Sequence, residues 1–170
     1  MQRIAGLFAY FLIFLAVFAC SQNPSEKTPE KEIEAAKKAP ETAEVVVGQP
    51  ARLSDRTLTV NEVERNYAPP NEFHRPDRGN VFIHVNITLT NEGSSSFGVD
   101  PLNFEAVASN GVRRQPQTMT RLPNRVSVGS LAPGESMTGN LVLQVPRGDR
   151  EVKLVYQPIL TPQKTIIVNL

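Results

Sequence analysis

Residues 81–89 alternate without a break: Val81, Ile83, Val85, Ile87 and Leu89 point one way, and Phe82, His84, Asn86 and Thr88 the other. A period of two over nine residues is the mark of a long strand with one face in a core, and it rules out a helix there. Leu58 and Val60 alternate likewise. Val63 then falls out of phase, which places a bulge or strand end near Asn61–Glu62. Further strands are expected at 43–47, 102–108, 125–130, 137–145, 151–156 and 164–169. Gly139, Leu141, Leu143 and Val145 share one face, and Val152, Leu154 and Tyr156 share another. Turn signals separate these runs: Asn91-Glu92-Gly93, Asn110-Gly111, Ala132-Pro133-Gly134-Glu135 and Pro146-Arg147-Gly148-Asp149. No helical period occurs in this region. The expected fold is therefore all-β, an immunoglobulin-like antiparallel β-sandwich of about seven or eight strands. The Trp and the cysteine pair of an antibody domain are absent, so "immunoglobulin-like" describes architecture only.

Ahead of this body the composition changes twice. Residues 4–18 are almost wholly apolar, Arg3 precedes them, and Leu15-Ala16-Val17-Phe18-Ala19 leads into Cys20. The apolar run is short for a bilayer span and has the anatomy of a secretory signal peptide. With cysteine at the cut it resembles a bacterial lipoprotein signal, which implies that Cys20 is lipidated and becomes the mature N-terminus. Val17 and Ala19 suit that pattern, and Phe18 is bulky for it; the competing reading is an uncleaved anchor helix. Residues 21–42 are Ser, Gln, Asn, Pro, Glu, Lys, Ala and Thr-rich, with Ile33 the one large apolar side chain before the body. Such a stretch buries too little surface to offset its ordering entropy and reads as a disordered tether, with at most partial helix at 29–39. The expected organisation is a signal peptide at 1–19, a lipidated cysteine and tether at 20–42, and a sandwich domain at 43–170.

The whole chain carries 18 Lys and Arg against 17 Asp and Glu. Arg3 leaves with the signal, so the exported part balances. That neutrality argues against nucleic acid as a partner, which requires a strongly basic face. Cys20 is the one cysteine, so the body rests on its hydrophobic core rather than on disulfides.

The segment from Gly79 to Gly93, with Leu131-Ala132-Pro133-Gly134-Glu135-Ser136, Gly139 and Val142 to Pro146, resembles the two signatures of the bacterial domain-of-unknown-function 4352 family. The resemblance covers about residues 44–169. It implies a telokin-like, immunoglobulin-like sandwich, often carried behind a lipobox and a polar linker. It implies no established activity and no catalytic residues.

The residues themselves support no catalytic motif. There is no Gly-x-Ser-x-Gly elbow, no phosphate loop with Lys and no His-Glu-x-x-His. No cofactor, no metal and no enzymatic activity are expected. Glu72, His74 and Asp77 include the atoms a divalent cation would need. Arg75 and Arg78 are interleaved with them, however, and would repel it. His84 faces away from the Val/Ile row and reads as a half-exposed sheet residue. Asn86-Ile87-Thr88 matches a glycosylation sequon but falls in mid-strand and is discounted.

Two groups of residues remain as binding candidates. A long loop from about Arg65 to Gly79 offers rigid and aromatic contact surface in Tyr67, Phe73 and His74, with Arg75 and Arg78 beside them; loops of this length are uncommon unless functional or disordered. From Arg52 onward there are 11 Arg and 2 Lys, with Arg113, Arg114, Arg121 and Arg125 close in sequence. Their forks suit carboxylate and phosphate oxygens of an anionic polymer or lipid headgroup. The competing reading is edge-strand charge that blocks sheet-to-sheet aggregation. The function expected from these features is a non-catalytic binding or adaptor module, held to a bacterial membrane by its N-terminal lipid. It would face the periplasm or cell exterior, on the outer membrane where a cell has two, and engage an unidentified envelope or extracellular protein or anionic polymer. The alternatives are a proteinase inhibitor or envelope chaperone and, behind these, a metal-binding protein using the 72–77 loop.

Overall fold

The computed structural model describes residues 41–70, 75–117 and 122–170. The expected signal peptide, Cys20 and the tether as far as residue 40 lie outside the described residues, as do Glu72, Phe73, His74 and Arg121. The last two residues read as tether, Glu41 and Thr42, instead open the first strand, paired with Lys164 and Thr165.

Among the described residues, eleven strands form the body: β1 Glu41–Val46, β2 Pro50–Leu53, β3 Arg56–Arg65, β4 Asn80–Asn91, β5 Phe97–Val99, β6 Phe104–Val107, β7 Arg113–Arg114, β8 Gly129–Leu131, β9 Ser136–Pro146, β10 Lys153–Tyr156 and β11 Lys164–Asn169. One sheet has the order β1-β11-β10-β6-β7, the second β2-β3-β4-β9, and β5 pairs with β8 in a separate ribbon. The fold is a β-sandwich, as the alternation requires. The strand count exceeds the expected seven or eight because β2, β5, β7 and β8 have only two to four residues each. One pairing departs from the antiparallel expectation. β1 runs parallel to β11, Glu41 opposite Lys164 and Val46 opposite Asn169, because the chain enters at the end where β11 also begins.

The two main sheets bury their facing sides against each other. Val81, Ile83, Val85, Ile87 and Leu89 of β4 are all buried, and they share a core cluster with Leu58 and Val60 of β3, Leu141 and Leu143 of β9, Leu154 and Tyr156 of β10, and Ile166 and Val168 of β11. Fully burying each such side chain contributes about 1.5–3 kcal/mol. The expected phase break is present: the β3–β4 register shifts between Val60 and Glu62, which lets Val63 pack against the core again. The outer side of the second sheet is polar along half its length. Asn61 donates to Asn86 and Thr88, Asn86 donates to Asn140, and Thr88 and Thr90 bond Thr138 and Ser136.

The turns follow their residues. Ala132-Pro133-Gly134-Glu135 closes with the Glu135 N–H donating to the Ala132 carbonyl, and Gly134 takes φ 79°, the value the third position of a type II turn demands. Three expected strands are shorter than read, the 151–156 run among them, since β10 begins only at Lys153. The 102–108 run begins as a 3₁₀ turn, Pro101–Asn103, where Asp100 caps the Leu102 N–H at 2.8 Å. Of the 125–130 run only the last two residues enter β8; Arg125 makes a single parallel bridge to Asn140.

Candidate functional site

The two ends of the sandwich differ in chemistry. Glu41, where β1 begins, donates its N–H to the Gln163 carbonyl, so the chain enters at the end that carries the 157–163 connection. That end is braced by Arg56. The Arg56 side chain is 4% exposed; it bonds both Asp55 carboxylate oxygens at 3.1 and 2.7 Å, donates to the Tyr156 hydroxyl at 3.1 Å and stacks 4.2 Å from the Phe97 ring centroid. Lys164 adds a third bond to Asp55 at 2.7 Å. The Arg56 guanidinium, assisted by Lys164, holds the Asp55 carboxyl well below the usual carboxylate range, and burial raises the Tyr156 hydroxyl. The brace ties the starts of β3 and β11 to the end of β10 and joins the two sheets.

The opposite end carries four of the six candidate residues that are described, Arg75, Arg78, Arg113 and Arg114. Three turn segments meet there: 75–80 leading into β4, 109–114 running from the β6–β7 connection through β7, and 146–151 leaving β9. Each is tied to the other two. Arg114 reaches Asp77 at 3.4 Å, the Ser109 N–H and hydroxyl both bond Asp149, and the Arg147 N–H donates to the Gly79 carbonyl. Six arginines stand in these turns, Arg75, Arg78, Arg113, Arg114, Arg147 and Arg150, against the three acids Asp77, Asp149 and Glu151. All six arginines are exposed. Arg113 pairs with Glu105 at 2.6 Å; Arg75, Arg78, Arg147 and Arg150 form no ion pair among the described residues.

The fold thus brings the loop arginines Arg75 and Arg78 together with Arg113 and Arg114, two groups that were separate in sequence. Arg114 and Asp77 are the direct link. Asp77, weighed above as a metal ligand, has its carboxylate on Arg114, and among the described residues no group of three His, Cys, Asp or Glu could hold a metal ion. Arg125 lies elsewhere, in the 124–126 segment that bonds the outer edge of β9 at Asn140. Arg113 and Arg114 constitute β7, the edge strand of its sheet, so they also fit the edge-protection reading. Tyr67 is not a free contact side chain. Its ring lies 5.2 Å from that of His84, and its N–H donates to the Phe82 carbonyl. His84 is 19% exposed and 3.9 Å from Glu64, on the outer face as expected but more buried than the half-exposed position read from the sequence. Phe82, Val142 and Gln144 are buried on this outer face, where Gln144 accepts from the Asp77 N–H at 2.9 Å. The described parts of the loop are therefore docked on the sheet rather than free.

Arg147 and Arg150 were missed by sequence reasoning, which saw Pro146-Arg147-Gly148-Asp149 only as a turn. The signal was available in the pairing. Once β4 and β9 are paired with Asn80 opposite Pro146, the turn after β9 must sit beside the residues before β4.

Solved structures share the fold at low identity. The yjhA protein of Bacillus subtilis superposes with a TM-score of 0.60 at 21% identity, over 74% of this chain and 98% of that one. The candidate lipoprotein ycdA of Bacillus subtilis gives 0.62 at 15% identity, over 71% of this chain and 38% of its own. MPT63, a secreted protein from Mycobacterium tuberculosis, gives 0.57 at 13% identity, over 78% and 99%. No curated protein is matched by sequence. Residues 45–165, nearly the whole sandwich, match the domain of unknown function DUF4352, and the chain belongs to that family.

Proposed function

We infer that this protein is a non-catalytic binding module of a bacterial cell envelope, anchored by a lipid on Cys20 and working outside the cytoplasm. Its partner would be an anionic envelope polymer or an acidic protein surface, engaged by the arginine-bearing end. The observation that carries the reading is the junction of turns 75–80, 109–114 and 146–151, where six exposed arginines outnumber three acids. Arginine forks bind carboxylate and phosphate bidentately. This end lies opposite the one at which the chain enters, so a tether to lipid leaves it open to a partner. The secreted protein and the candidate lipoprotein that share the fold support an extracytoplasmic location, and the lipid anchor rests on the resemblance of residues 3–20 to a lipoprotein signal. The three turns are bound to one another by backbone and side-chain bonds, so the arginines are presented on a rigid support, which lowers the entropy lost on binding.

The test is binding of the exported chain to a polyglycerol phosphate and to a polyglutamate, with Arg113→Glu, Arg147→Glu and the two combined. Each reversal should weaken binding about ten-fold at low salt, the pair more, and wild-type affinity should fall steeply with ionic strength. Wild-type affinity retained in the combined variant would remove this end as the binding surface. Fractionation of wild type and Cys20→Ala, with the mass of the wild-type N-terminus, tests the anchor separately.

A further inference from the structure

The end at which the chain enters carries a second unassigned surface. Leu160 is 92% exposed, Val128 76%, Ile159 67% and Leu102 43%. These are four of the six large apolar side chains exposed among the described residues; the other two, Val46 and Val112, lie at the far ends of β1 and of the β6–β7 connection. The four are contiguous. Leu102 and Val128 line one depression, Leu102 and Ile159 a second, and Val128, Ile159 and Leu160 a third of about 560 Å³ that has Phe97 and Pro158 in its walls. Exposed apolar surface gathered in one place is a contact surface or a liability. Here it projects from the body, Leu160 most of all.

We propose that this patch rests on the lipid bilayer to which the protein is anchored, with Ile159 and Leu160 entering the interface. The proposal builds on the lipid anchor inferred above. Two observations select the bilayer over a protein groove. The first is position: the Glu41 N–H bonds the Gln163 carbonyl at 2.8 Å, so the segment from Cys20 joins the body within a few residues of Leu160. The second is reach. Only 20 residues separate Cys20 from Glu41, whereas the 12 residues of β4 alone set the arginine end on the order of 40 Å further from that point of entry. An anchored chain therefore holds the apolar end at the membrane surface for most of its time, at an effective concentration that makes a weak apolar contact count. Apolar side chains at such an interface bury about 5–10 Å deep. The four apolar residues carry no charge, and Asp55 and Arg56 in the wall of the third depression are paired with each other, so contact is expected on phosphatidylcholine without anionic lipid.

The chain contains no Trp, so one introduced tryptophan reports alone. Leu160→Trp and Val112→Trp are each made in the full lipidated protein and reconstituted into vesicles of phosphatidylcholine, with and without bromine on the acyl chains. For Leu160→Trp the emission should shift to the blue on reconstitution and fall about two-fold with brominated lipid, a depth-dependent loss set by interfacial burial; Val112→Trp should show neither change. An unshifted, unquenched Leu160→Trp in a protein whose N-terminus carries lipid overturns the contact and leaves the anchor standing. A blue shift without quenching means a second copy or another protein covers the patch, and also overturns it. Quenching at Val112→Trp instead puts the other end on the bilayer and overturns the contact as well. A wild-type N-terminus without lipid mass removes the anchor and this contact together.

Discussion

Asp55→Asn should be far more damaging than its partly exposed side chain suggests. Asp55 is 34% exposed, but the guanidinium it neutralises is 4% exposed and the Lys164 side chain 18%. Converting the carboxylate to an amide leaves Arg56 charged, buried and without a counter-ion, with one acceptor oxygen where there were two. Removing one partner of a buried pair costs about 3–5 kcal/mol; solvent access to Asp55 discounts this to about 3. For a body of this size that lowers Tm by about 9–15 °C. The pH dependence follows from the depressed carboxyl. Its contribution is complete above the unfolded pKa of about 3.9 and is lost as pH falls below that toward the folded value. Wild type should therefore lose stability on the acid side from about pH 5 downward, and Asp55→Asn should lose less over the same range. The reverse perturbation supplies the control. Arg56→Met with Tyr156→Phe removes both the buried cation and the hydroxyl it bonds, leaves Asp55 with Lys164, and should stay within about 1 kcal/mol of wild type, since apolar replacement of a buried ionic group is often close to neutral. Urea unfolding followed by circular dichroism, from pH 3 to pH 7, measures all three proteins. An Asp55→Asn cost below about 1 kcal/mol, or a double variant as damaged as Asp55→Asn, refutes the view that Arg56 is the group needing compensation.

Asn91→Ala should destabilise by about 3 kcal/mol, because the wholly buried amide donates to the carbonyls of Ser95 and Leu131 and accepts from the Gly93 N–H, each at 2.9 Å; the urea midpoint reads the loss. Gly139→Ala should cost about 1–3 kcal/mol, since its methyl would stand 2.8 Å from Val126 Cγ2 and 3.2 Å from the Asn124 carbonyl, and the backbone atom cannot move aside as a side chain can. An unchanged midpoint in that variant would mean the 124–126 segment is held on β9 more loosely than its bonds to Asn140 indicate.

The sandwich was legible where one face of a strand is buried and long enough to show a period. β4 is the clearest case: its five alternating Val, Ile and Leu side chains all turned inward, and the misphased Val63 located a bulge to within a residue. Three kinds of information were not legible. Strands such as β2, with Ala51 and Leu53 its only buried side chains, or β5, three residues after a run of serines, are too short to carry a period. The parallel partnership of β1 and β11 joins residues more than 120 positions apart, and local pattern is silent about partners. Arg56 was also invisible. A charged residue at the inward phase of a strand looks like a strand boundary until Tyr156, a hundred residues on, is seen to receive it.

The arginines show the same division between composition and placement. Their excess over lysine was plain in the sequence, but whether they form a site depends on which turns converge. Arg113 and Arg114, taken alone, fit edge protection, because β7 is an edge strand and Arg113 is occupied by Glu105. What edge protection does not require is that Arg75, Arg78, Arg147 and Arg150, none of them in an edge strand, project from turns bonded directly to that edge. Concentrating six guanidinium groups costs stability through mutual repulsion, and the three acids of these turns together with Glu105 on Arg113 offset only part of it. A cluster that serves no partner should therefore yield stability when thinned. Arg147→Gln and Arg150→Gln together should raise the urea midpoint slightly at low salt and leave it unchanged at high salt, while weakening polyanion binding. Thinning that stabilises without touching binding would return these arginines to the role of a solubilising surface.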